Sequence, residues 1–113
     1  MSDPNKRVLS MLSLARRAGD LTIGQDKIFD ALRTGSKLAV FVTEDCSENV
    51  MRRLTAASER GEAEIFRLSG TDRTFLGKNL GLNSAQAAAL PAESGFVKKI
   101  ISLLIEERSD ADE

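Results

Sequence analysis

Leu21-Thr22-Ile23-Gly24-Gln25-Asp26-Lys27-Ile28, followed by Leu38-Ala39-Val40-Phe41-Val42, decides the fold. The first segment predicts a short strand, a glycine turn and the start of a helix. Thr22 and Gln25 have the spacing of a capping box, opening that helix at about Gly24. Ile28, Ala31 and Leu32 make its inner face and Gly35 ends it. The second segment is an uninterrupted apolar run rich in branched side chains, as expected of a central strand covered on both faces by helices.

The same reading extends outward in both directions. Val8, Met11, Leu12 and Ala15 fall on one helical face, predicting a helix from about Pro4 to Ala18 that stops at Gly19. Arg16 and Arg17 lie in its last turn, where cations suit the helix dipole; they also project beside the Gly24 turn. Downstream, Asp45 and Glu48 signal another helix start, with Val50, Leu54 and Ala57 inside and Gly61 as its stop. Ile65, Phe66 and Leu68 form a strand. Thr71 caps a helix bearing Phe75, Leu76 and Leu80, up to Gly81. Ala85 to Leu90 is a small apolar strand, and Pro91 and Glu93 begin a last helix with Val97, Ile100, Ile101 and Leu104 inside. This α-β-α-β-α-β-α-β-α order predicts a three-layer α/β/α sandwich around a four-stranded mixed sheet.

Composition narrows the function. With 113 residues and 42% apolar content, the chain makes one domain with a real core. It contains no histidine and one cysteine, Cys46. That removes serine–histidine and cysteine–histidine nucleophile pairs and histidine-containing zinc sites. No internal disulfide is available, so a cytoplasmic address is expected. No apolar run approaches the roughly 18 residues of a membrane span. Net charge is −1, but residues 107–113 hold four acids against one base, leaving residues 1–106 mildly basic. The expected organisation is a domain over 1–106 with an acidic, solvating tail at 107–113.

Other chemical signals are weak. GTDRTFLGKN, from Gly70 to Asn79, resembles a phosphate loop, but six residues separate its glycines where four are needed. Cys46 precedes a helix start, where a dipole lowers a thiol pKa, yet it lacks a histidine partner. Glu44 and Asp45 pair as acids, though capping accounts for Asp45. No catalytic residue, metal ligand or cofactor is therefore expected. The Gly24-Gln25-Asp26-Lys27 turn has a better claim. A helix N-terminus offers unpaired N–H groups, and glycine permits close approach. Gln25 both donates and accepts, Asp26 accepts from a base amino group, and Lys27 meets phosphate.

Several segments in order carry a resemblance: Leu14-Ala15-Arg16-Arg17-Ala18-Gly19, Gly24-Gln25-Asp26, Ala31-Leu32-Arg33, Lys37-Leu38-Ala39-Val40, Thr43 to Asn49, Leu76-Gly77-Lys78 and Gly95 to Ile100. Together they resemble the ribosomal protein L-seven-Ae / L-thirty-e superfamily, particularly its bacterial YlxQ-like branch, from about Pro4 to Leu104. The resemblance implies an L-thirty-e-like fold and non-catalytic binding of structured RNA, typically a kink-turn or related internal loop, with ribosomal RNA or the ribosome as partner. It places RNA contacts on Gly24, Gln25, Asp26, Lys27 and Asp30, and phosphate contacts on Arg16, Arg17, Arg33 and Lys37. A loop before the last helix, on Leu90, Pro91, Ala92 and Glu93, is expected to pack against a flipped nucleotide. Kink-turn binders commonly carry Asn-Glu or Lys-Gln where this chain has Asp26-Lys27, and a lysine where it has Asp30, so a different RNA remains open. The chain is expected to be a monomer. The alternative function is a protein-interaction or assembly module that has kept the fold but lost most RNA affinity, or a recognition domain of an RNA-modifying system. An exposed Phe29 beside Asp30 would favour a protein partner.

Overall fold

The computed structural model describes residues 5–111, with side chains through residue 106. Elements follow the expected order: α1 (Lys6–Arg17), β1 (Thr22–Ile23), α2 (Gln25–Arg33), β2 (Leu38–Thr43), α3 (Glu48–Glu59), β3 (Ala63–Leu68), α4 (Arg73–Asn79), β4 (Ala87–Pro91) and α5 (Gly95–Ala111). Pro4 lies outside the described residues. So do the side chains of the acidic stretch 107–113, although the α5 backbone runs on to Ala111.

The strands lie in the order β1-β4-β2-β3. β2 and β3 are parallel, whereas β4 runs antiparallel to both β1 and β2. All six residues of β2 are buried, and their alternation assigns them to two cores. Ala39 and Phe41 face a core under α1, α4 and α5; Leu38, Val40 and Val42 face a second under α2 and α3. β4 divides the same way, with Ala88 and Leu90 on one side and Ala87 and Ala89 on the other. An unbroken apolar run is what such a doubly covered strand requires. Phe41 also stacks on Phe66 of β3, with ring centroids 5.3 Å apart.

The helix stops match the glycines expected. Gly19, at φ +82°, lets its N–H reach the Arg16 carbonyl and the Asp20 N–H reach that of Ala15, both at 3.0 Å. These two bonds satisfy carbonyls that the end of α1 leaves open. α2, α3 and α4 stop in the same manner at Gly35, Gly61 and Gly81.

The helix starts differ from expectation by one to several residues. Thr22 lies in β1 opposite Ala89, so no Thr22–Gln25 capping box forms. Ser47, not Asp45, caps α3 by accepting from the Val50 N–H at 3.3 Å. Asp72, not Thr71, caps α4 through the Phe75 N–H at 2.8 Å. Thr71 is buried, and its hydroxyl accepts from the Asn5 amide at the start of α1. α5 begins at Gly95, not Pro91, which still belongs to β4; the Ser94 hydroxyl accepts from the Phe96 N–H.

Candidate nucleic-acid interface

The topology gathers three helix starts on one edge of the sheet. β1, β2 and β3 run toward that edge, and α2, α3 and α4 begin there. Helix geometry leaves the first N–H groups of each without an intrahelical partner. Ser47 and Asp72 cap α3 and α4, whereas α2, like α1, has no side-chain cap. Its cap residue is Gly24, at φ +93° and ψ 149°, a region essentially restricted to glycine. The Gly24 N–H donates to the Ala87 carbonyl at 3.1 Å, fixing the turn to β4.

An open cleft of about 380 Å³ lies beside this turn, lined by Ile23, Gly24, Gln25, Asp26, Lys27, Arg73, Ser84, Ala85 and Gln86. Its far wall is the segment between α4 and β4. The Ala85 N–H donates to the Arg73 carbonyl at 2.9 Å. Gly77 of α4 packs so closely on this segment that a Cβ there would sit 2.5 Å from the Ser84 Cα. Leu82 is 37% exposed at the head of the segment, and Asn83 and Ser84 are exposed. Sequence reasoning missed this loop, Arg73 and Gln86. The available signal was Asn83-Ser84, two turn-forming residues directly after the Gly81 stop.

Arg73 is held in place by Asp45. Its N–H donates to Asp45 Oδ1 at 3.0 Å, its Nε lies 3.3 Å from Oδ2, and its Nη2 donates to the Asp45 carbonyl at 2.6 Å. Partial desolvation works against the charged carboxylate. Hydrogen bonds from the Thr43 hydroxyl and the Arg73 amide, with the Arg73 charge, outweigh it and hold the Asp45 carboxyl below its ordinary range. Glu44 is also engaged, accepting from the Gly70 N–H at 2.9 Å. Both acids thus tie the β2–α3 connection to neighbouring loops. Burial pushes the Cys46 thiol up, opposite to what a helix-start nucleophile needs. Among the described residues no group of three or more Cys, Asp or Glu is placed to hold a metal, and no helix is long and apolar enough to cross a membrane.

The residues expected to touch RNA separate into three places. Gly24, Gln25, Asp26 and Lys27 line the cleft. Arg16 and Arg17 line an adjoining groove of about 420 Å³ with Ser13, Asn79, Leu80 and Gly81. Arg33, Lys37, Pro91, Ala92 and Glu93 lie at the opposite edge of the sheet, where the Ala92 N–H donates to the Lys37 carbonyl at 2.9 Å. Leu90 cannot meet a nucleotide. It is a β4 residue with 0% exposure, facing the first core. Because β4 is antiparallel, the loop before α5 lies away from the α2 start, and the loop before β4 takes the place beside it. Asp30 pairs with Arg33 on the exposed side of α2. Phe29 is only 8% exposed and lies under the Arg53 guanidinium, 3.7 Å from the ring centre, so no apolar patch forms beside Asp30.

Fold and edge together define a three-layer α/β/α domain that presents an uncapped helix start and a neighbouring loop across an open cleft. The chain belongs to the Ribosomal protein L7Ae/L30e/S12e/Gadd45 family, whose model matches residues 6–101. It is similar to the RNA-binding protein YlxQ of Bacillus subtilis (strain 168), with 29% identity over 94 residues, covering 83% of this chain and 91% of that protein. Its fold is that of a protein of unknown function from Bacillus halodurans C, at TM-score 0.71 and 23% identity, covering 84% of this chain and 93% of the other. A 15.5kD RNA binding protein of Giardia lamblia shares the fold at TM-score 0.67 and 11% identity, covering 96% and 91% of the two chains.

Proposed function

We propose that this chain is a non-catalytic, monomeric, cytoplasmic protein that binds structured RNA, a kink-turn or related internal loop, through the α2 start and the loop before β4. The observation that carries the reading is the Gly24 turn: a helix start without a side-chain cap, beside Lys27 and Gln25, facing Ser84, Ala85 and Gln86 across a cleft. The names of the Bacillus subtilis and Giardia lamblia relatives support it. Unpaired N–H groups and Gln25 suit the edges of bases that an internal loop exposes, and Lys27 suits a phosphate. Leu82 supplies an apolar contact for an unstacked base, the role first expected of Leu90. The burial of Phe29 removes the feature that favoured a protein partner.

The test is titration of a kink-turn RNA, a straight duplex and total ribosomal RNA over a range of salt. The kinked RNA should bind most tightly, and Lys27→Ala should weaken it with a salt slope shallower by about 1. Binding only to ribosomal RNA would keep the class and change the target. No binding to any of the three at low salt would overturn the reading.

A further inference from the structure

The two helical layers differ in charge. α1 holds Lys6, Arg7, Arg16 and Arg17 and no acid; α4 holds Arg73 and Lys78 and no acid. Through residue 106, α5 adds Lys98 and Lys99 against Glu106. In the other layer, α2 and α3 each balance two cations with two acids. Arg7 pairs with Glu106 and Arg73 with Asp45. Among the described residues, Arg16, Arg17 and Lys78 have no carboxylate within ion-pair distance.

These three cations lie on adjoining surfaces of α1 and α4. The Ser13 hydroxyl donates to the Asn79 carbonyl at 3.1 Å, joining the helices, and Arg16 and Arg17 line the groove beside that contact. Arg16 reaches over the end of α4, its Nη1 3.0 Å from where a Cβ on Gly81 would stand. Phe75 and Lys78 are three residues apart on the outward side of α4, hence neighbours. Phe75 is 47% exposed, whereas Phe29 and Phe41 are buried and Phe66 and Phe96 half-buried. The segment that begins at Gly81, in this groove, passes within three residues to Ser84 in the α2 cleft. Attraction between cations and the α1 helix dipole explains Arg16 and Arg17. The same attraction at the end of α4 accounts for Lys78, but neither dipole explains the missing acids or the outward ring.

We infer that the α1–α4 face is a second RNA contact surface, with Arg16, Arg17 and Lys78 meeting phosphates of the strand that leaves the α2 cleft and Phe75 stacking on one of its bases. The inference rests on the proposed RNA binding and gives it a direction: from the α2 start the RNA crosses the basic layer, leaving the outer faces of α2 and α3 uncovered. Phosphate neutralisation supplies salt-dependent affinity, and an exposed ring beside cations is a sequence-tolerant base platform.

The experiment compares the full chain with an Arg16→Gln/Arg17→Gln/Lys78→Gln variant in kink-turn RNA titrations over a range of salt. At roughly 0.7 to 0.9 of slope per phosphate, the variant's slope should be shallower by about 2 to 3. Its affinity at physiological salt should be at least about tenfold lower. Phe75→Trp places a single tryptophan in a chain that has none, and its fluorescence should be quenched by bound RNA. An unchanged slope in the triple variant, with Lys27→Ala still weakening binding, would overturn this inference and leave the proposed function standing. An unquenched tryptophan in the bound complex would overturn the stacking contact. A wild-type chain that binds no RNA would overturn both readings.

Discussion

At one edge of the sheet α2, α3 and α4 begin; at the other α1, α2 and α3 end and α5 begins. Both edges carry exposed cations, Lys27 and Arg73 at the first and Arg33 and Lys37 at the second. Their backbones differ in what they leave over. Each helix ending at the far edge turns through a glycine whose two hydrogen bonds satisfy its own carbonyls. At the near edge the α3 and α4 starts are capped by Ser47 and Asp72, whereas the α2 start has no side-chain cap and opens on the cleft. Positive side chains therefore do not distinguish the two edges; a helix start without a side-chain cap beside an open cleft does.

The largest effect that tests this contrast lies toward the far edge. Leu90→Ala should cost about 2 to 5 kcal/mol in urea unfolding, because it empties space in the core under α1, α4 and α5. The fraction still folded should bind RNA as wild type does. A normal stability with lost RNA affinity would mean that Leu90 is a contact after all and would erase the contrast. Gly24→Ala should cost less, about 1 to 3 kcal/mol, since a Cβ has free space there but φ +93° is strained for it. Here RNA affinity should fall as well, measured on protein shown to be folded by circular dichroism.

The smallest effect concerns acid. The folded-state pKa of Asp45 is depressed, so the stability it contributes is present above the ordinary carboxyl range near about 3.9. That contribution is lost as pH falls through the folded value. Asp45→Asn should flatten the part of the stability profile that lies below the ordinary carboxyl range, read by thermal unfolding at each pH. An unchanged profile would show that Arg73 is positioned without the Asp45 charge.

Much of this architecture is legible in the residues. Gly19, Gly35, Gly61 and Gly81 mark helix ends because a left-handed stop demands glycine, and Leu38 to Val42 marks a central strand because nothing polar survives there. Helix starts are less legible, since several residues can accept the same bond. Thr71 and Asp72 both qualify, and the contact of Thr71 with Asn5, far away in sequence, leaves the capping to Asp72. In the same way Thr22 pairs in β1 and leaves the cap position to Gly24. Which loop lies beside the α2 start was not legible, for a topological reason. An alternating α/β pattern does not disclose the direction of β4. Had β4 run parallel to β2, residues 91–93 would flank the α2 start; running antiparallel, it brings Ser84 to Gln86 there instead. The Asp26-to-Lys27 turn is local and was readable. Its companion loop depends on strand direction and was not.

The hydrogen bond from Gly24 to Ala87 ties the α2 start to the order in which the chain is made. β1 pairs only with β4, which lies about sixty residues further along. A chain growing from its N-terminus produces α1, α2 and the cations of both long before the strand that fixes the turn exists. The parallel pair β2 and β3 can assemble earlier, but β1 has no neighbour until residues 87–91 arrive between it and β2. Unfinished copies thus carry the basic residues without the shaped edge, and the Gly24 turn takes its form only once synthesis has passed β4.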